Sequence, residues 1–96
     1  MSHQALANSV PVPRLDVRIR KSRGKLTVAG PEHVFELEGV ILDIWKMIDG
    51  SRTIRDIGAL ISEEYDVPVG EAVDDTAEAL MELVEHGLLT LRSDDE

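Results

Sequence analysis

Pro31-Glu-His-Val-Phe-Glu-Leu-Glu-Gly-Val-Ile-Leu-Asp-Ile-Trp-Lys-Met-Ile-Asp-Gly50 decides how this chain folds. Its first half is opened by Gly30-Pro31 and carries Val34, Phe35 and Leu37, so His33–Leu37 reads as a short strand. From Val40 the period changes. Val40, Ile41, Ile44, Trp45 and Ile48 recur at helical spacing, and Asp49-Gly50 ends the run. Phe35 and Trp45, the large aromatics besides Tyr65, are expected to anchor the core. This stretch therefore joins a sheet to a helical layer.

Working outward to the N-terminal side, Leu15, Val17 and Ile19 alternate with Asp16, Arg18 and Arg20, the pattern of a half-buried strand. Lys21-Ser-Arg-Gly24 turns the chain, and Leu26 and Val28 continue the alternation through Lys25–Ala29. Connections this short favour an antiparallel meander with His33–Leu37 at one edge. That edge carries free backbone donors and acceptors unless something covers it. Residues 1–13, with small polar side chains and two prolines, read as a flexible N-terminal tail.

On the C-terminal side the first helix is expected over about Glu38–Ile48. Thr53 with Asp56 three residues on is a variant of the capping box. Ile54, Ile57, Leu60, Ile61 and Tyr65 give the second helix its apolar face. Asp66–Gly70 breaks the chain, and a third helix runs from about Glu71 to His86, stopped by Gly87. Leu88, Leu89 and Leu91 close the domain at residue 91, and 92–96 form an acidic tail. Three antiparallel strands followed by three helices make an α+β, winged helix-turn-helix-like arrangement.

The third helix is the most informative element. At 100° per residue its apolar side chains form two stripes, Val73/Ala77/Leu80/Val84 and Ala72/Thr76/Ala79/Leu83. With Met81 they cover about 200°, against the ~100° that a one-sided surface helix needs. A central helix packed on two sides accounts for this. So does a small-residue stripe lining a groove beside the open strand edge, the geometry that β-augmentation uses.

Ninety-six residues suit one domain. The chain has no cysteine, hence no disulfide or thiolate ligand, which fits a reducing, cytoplasmic setting. Its start lacks a signal-peptide pattern, and no run approaches a membrane span. The net charge of −9 hides an asymmetry: Arg14, Arg18, Arg20, Lys21, Arg23 and Lys25 oppose a single acid, Asp16, whereas acids dominate from Glu32 onward. A basic hairpin joins an acidic helical body, either for mutual attraction or to meet two different partners.

Enzyme chemistry lacks parts. His3, His33 and His86 are scattered, no Ser/His/Asp set or zinc-ligand pair is present, and Asp74, Asp75, Glu78, Glu82 and Glu85 read as a solvated helix face. Neither catalytic residues, nor a metal, nor a cofactor is expected. A winged-helix DNA-binding regulator is the main rival. Its recognition helix should present Arg, Lys, Asn or Gln to base edges. Glu71–His86 offers only acids, which the phosphate field repels. Neither nucleic acid nor membrane is therefore an expected partner. A general protein-interaction module without a peptide ligand stays open.

Four stretches carry a family likeness: Pro-Glu-His-Val-Phe-Glu-Leu at 31–37, Asp-Gly-Ser-Arg-Thr-Ile at 49–54, Asp75 near the start of the last helix, and Leu-Val-Glu-His-Gly-Leu-Leu at 83–89. In that order and spacing, Pro13–Leu89 resembles the PqqD family. These are small peptide chaperones, also described as recognition elements for ribosomally made, post-translationally modified peptides (RiPPs). The resemblance implies a non-catalytic adaptor for PQQ or other RiPP biosynthesis. It would bind the leader of a precursor peptide by strand addition and present it to a radical SAM protein, cyclase or leader peptidase. In the family the leader lies between the third strand and the third helix. Carried over, the peptide-binding residues are Val34, Phe35, Glu36 and Leu37 with Ala72, Thr76, Ala79, Leu80 and Leu83. Arg18, Arg20 and Asp75 are candidates for charged contacts. Thr76 departs from the family, where valine is commoner.

Overall fold

A computed structural model describes residues 4–92, with side chains from Leu6 onward. In chain order the elements are α1 (Gln4–Ala7), β1 (Val10–Pro13), β2 (Arg18–Ser22), β3 (Lys25–Ala29), β4 (Val34–Leu37), α2 (Val40–Met47), α3 (Ile54–Tyr65), α4 (Val69–Glu85) and β5 (Leu89–Arg92). The three-stranded antiparallel sheet β2-β3-β4 followed by three helices is the expected α+β arrangement.

Two departures matter. First, the expected flexible tail is structured as far as it is described. β1 pairs antiparallel with β5, Val10 opposite Arg92 and Pro13 opposite Leu89, and Ala7, Val10 and Pro11 are buried. The Ser9 carbonyl accepts the first amide of α3, from Ile54, at 2.9 Å. Two prolines disguise this strand, but proline is tolerated on an edge where its missing N–H is not needed. Met1–His3 and the acidic residues 93–96 lie outside the described residues. Arg92, placed in the acidic tail by sequence, ends β5 and donates to the Gly50 carbonyl at 2.9 Å. Second, Leu15 does not belong to a strand. Arg14 turns back on Asp16 through an ion pair of 3.2 Å, and Leu15 stands fully exposed in that turn. β2 starts only at Arg18.

The rest follows from local signals. Ser22 pairs with Lys25 across Arg23-Gly24, whose φ of 46° and 79° define a two-residue type I′ hairpin. Asp49 Oδ1 accepts the amides of Ser51 (2.9 Å) and Arg52 (2.7 Å), holding the Asp49 carboxyl below the usual carboxylate range. Arg52 Nη1 in turn caps the Met47 carbonyl at 3.0 Å, so the 49–54 word is the hinge between α2 and α3. The Thr53/Asp56 capping box is complete in both directions at 3.0 Å. α4 ends in a Schellman motif: Leu88 N–H bonds Leu83 O, Gly87 N–H bonds Val84 O, and Gly87 takes φ 78°. That turn delivers Leu88 and Leu89 into the core.

The core sits between one sheet face and the helices. Leu26, Val28 and Leu37 from the sheet meet Leu42, Ile44 and Trp45 of α2, Ile54, Ile57 and Ile61 of α3, and Ala77, Leu80 and Leu83 of α4. Trp45 is 7% exposed, as expected of an anchor, whereas Phe35 is only half-buried. Val40 and Tyr65, assigned to apolar faces, stand out in solvent. The Tyr65 hydroxyl donates to Asp43, which ties α3 to α2 and pushes the phenol up to about 12. The buried Leu42 does part of the work assigned to Val40. α3 and α4 meet at Gly58, where no side chain separates the helix from Val73.

Candidate functional site

β4 pairs with β3 on one side only, Leu26 opposite Leu37 and Ala29 opposite Val34. Among the described residues nothing pairs with its other side, so one row of backbone groups is open. Within β4 the side chains split by register. Phe35 and Leu37 point to the helical side with Leu26 and Val28, while Val34 and Glu36 face away. Glu36 and Glu38 attract Lys25 at 3.7 and 4.0 Å, surface contacts of small energetic weight.

The helix that flanks this edge is α4, brought there at its C-terminal end. The His86 ring, one residue past α4, packs edge-on against Phe35 with centroids 4.6 Å apart. His33 completes a trio, 5.4 Å from His86 and 6.1 Å from Phe35. His86 Nδ1 lies 2.8 Å from Glu82 O; a carbonyl only accepts, so Nδ1 carries the proton. Ala72 and Ala79 lie at heptad spacing from His86, so all three fall on one stripe of α4, whose His86 end meets Phe35 of β4. Asp75 and Glu82 flank that stripe and are exposed.

The structure separates the residues singled out by sequence. Val34, Phe35, Glu36 and Leu37 lie along the open β4 edge and Ala79 on the same stripe of α4 as His86; all but Leu37 reach solvent. Ala72, Thr76, Leu80 and Leu83 are buried, at 2% exposure or less. Thr76 is fully buried, and its Oγ1 has no hydrogen-bond partner among the described residues. Arg18 and Arg20 are not brought to this place. They sit on β2, at the far edge of the sheet, opposite Ala29 and Thr27 on its outer face. Sequence reasoning missed the contact of His33 and His86 at Phe35, because only the packed sheet and helix bring them together. Among the described residues no cluster of His, Cys, Asp or Glu is placed to hold a metal ion, and no helix is long and apolar enough to cross a membrane.

A free strand edge flanked by a partly apolar helix stripe defines a small winged-helix-like α+β module with the geometry for strand addition. The chain belongs to the PqqD family: the family profile described as coenzyme PQQ synthesis protein D matches residues 26–89. Two strains of Xanthomonas campestris pv. campestris, B100 and 8004, have relatives named PqqA binding protein. Each is 28% identical over 86 residues, covering 88% of this chain and 94% of the relative. The fold is also similar to the solution structure of the PqqD part of Methylobacterium extorquens PqqCD, described as a functional, stand-alone RiPP recognition element. The TM-score is 0.72 at 27% identity, covering 94% of this chain and 99% of that one.

Proposed function

We propose that this chain is a non-catalytic adaptor that takes the leader of a ribosomally made precursor peptide as an added strand on β4 and presents it to a modifying enzyme. The observation that carries the reading is the open β4 edge with His86, at the end of α4, packed on Phe35, in a member of a family whose relatives are named for PqqA binding. Backbone bonds to Val34–Leu37 supply affinity, and alternate leader side chains drop towards Phe35 and Ala79. Asp75 and Glu82 line the outer rim, where cationic leader residues fit. The enzyme served is a radical SAM protein, cyclase or leader peptidase acting on a PQQ-type or related precursor. The work is done in the cytoplasm, where a ribosomal product is first available. A DNA-binding role draws no support from α4, whose charged residues are Glu71, Asp74, Asp75, Glu78, Glu82 and Glu85.

Ala79→Arg tests this. A long cation then stands in the groove, while Leu80 and the buried floor stay intact. Binding of a synthetic PqqA peptide, measured by calorimetry, should weaken by about 2 kcal/mol, or roughly 30-fold. A folded variant that binds as tightly as the wild type refutes the placement.

A further inference from the structure

We infer a second docking site at the opposite edge of the sheet, for an acidic, extended segment of a partner protein. It lies apart from the β4 groove and goes beyond the leader-binding reading. β2 pairs only with β3, and every residue from Arg18 to Ser22 is exposed. By register Ile19 and Lys21 lie on the helical side of the sheet, opposite Val28 and Leu26. Yet Ile19 is 52% exposed, because β2 overhangs α2 and leaves a cleft between them. This cleft of about 350 Å³ is lined by Ile19, Leu26, Trp45 and Ile48, with Lys21 and Lys46 at its mouth. A further recess of about 250 Å³ adjoins it through Lys21, Leu26 and Lys46 and reaches the Arg23-Gly24 turn.

Charge names the occupant. The chain carries −9 overall, yet the side chains of Arg18, Arg20, Lys21, Arg23 and Lys46 make no ion pair or hydrogen bond among the described residues. A free edge supplies the backbone groups for a strand, the cleft takes one large apolar side chain, and the cations meet carboxylates on either side of it. Lysines on an edge strand also deter self-pairing. A guard of that kind needs charge but has no use for an apolar cleft beneath it. Nucleic acid would satisfy the cations and leave both the cleft and the strand edge unused.

Trp45, the only tryptophan, lines this cleft and reports on it. The test uses the full chain and a short synthetic peptide in which Asp alternates with Val and Leu, beside a twin with Lys for Asp. The expected result is a saturable change in tryptophan fluorescence with the Asp peptide only. Amide shifts should appear at Arg18–Ser22, and Lys21→Glu with Lys46→Glu should weaken binding on the order of 10-fold. PqqA binding, read on the same double variant, should be unchanged, so this site and the β4 groove stand or fall separately. The inference is overturned by any of four results: no saturable change, equal binding of the Lys twin, shifts confined to Val34–Leu37, or displacement of the Asp peptide by a duplex oligonucleotide.

Discussion

Gly58→Ala sets helix propensity against packing, and the structure says which wins. Gly58 is buried within α3 where it crosses α4. A Cβ built there would lie 2.6 Å from Val73 Cγ2, 2.7 Å from Val73 Cα and 3.0 Å from Val73 N. Carbon atoms rest at about 3.5–4.0 Å, so the two helices must separate by about 1 Å. The Val73 methyl can turn aside; its backbone cannot. Alanine gains about 1 kcal/mol over glycine inside a helix. Overpacking costs typically 1–3 kcal/mol, and a rigid backbone obstacle puts this case at the upper end. The net loss is about 2 kcal/mol, or a fall of roughly 8–16 °C in Tm for a domain of this size. Circular-dichroism melts beside Gly70→Ala make the comparison. Gly70 lies in α4 with nothing within 4 Å of the added Cβ, so its variant should melt at or slightly above the wild-type temperature. If Gly58→Ala rose with Gly70→Ala, the close crossing of α3 and α4 would be wrong.

Three further outcomes follow from packing and charge. Trp45→Ala should lose about 3–5 kcal/mol, because the indole is nearly buried and its site cannot collapse fully; urea unfolding that matches wild type contradicts this. Thr76→Val replaces a buried hydroxyl that has no partner among the described residues by an isosteric methyl, so stability should rise by about 1 kcal/mol, and a destabilised variant would mean that the hydroxyl is satisfied. The Tyr65 phenol donates to the Asp43 carboxylate, and its folded pKa of about 12 lies above the ordinary 10.0. Stability from this contact is therefore fully present below pH 10 and is lost as pH rises through 12. Phenolate absorbance should titrate near 12 and return towards 10 in Asp43→Ala; a wild-type midpoint near 10 contradicts the contact.

Much of this architecture was legible because its determinants are local. The Arg23-Gly24 turn, the Thr53/Asp56 box and the Gly87 stop each act within a few residues, and the structure places all three where the sequence does. The β1–β5 pair was not legible. Its partners lie at opposite ends of the chain, and Val-Pro-Val-Pro has no alternation of apolar and polar residues to betray a strand. Leu15 misled for the converse reason, since its alternation with Asp16 continues that of β2 although the Arg14–Asp16 turn breaks the strand. In the candidate site, helical period alone placed Ala79 on one stripe with Ala72, Thr76 and Leu83. Period could not say that three of these four would be sealed beneath the surface. Nor could it bring His33 and His86 together, since that contact exists only once β4 and the end of α4 are packed. The wide apolar arc of α4 is explained chiefly by two-sided packing, with Val73 against Gly58 on one flank and Ala77, Leu80 and Leu83 in the core.

Amide hydrogen exchange with and without a synthetic PqqA peptide tests the central claim most directly. An added strand engages the outward backbone groups of β4, so exchange within Val34–Leu37 should slow by at least about 10-fold, the change expected when an exposed edge becomes a paired strand. The amides of Arg18–Ser22 should stay as they are in the free protein. Binding that leaves Val34–Leu37 unprotected, or that protects only Arg18–Ser22, would contradict strand addition at β4.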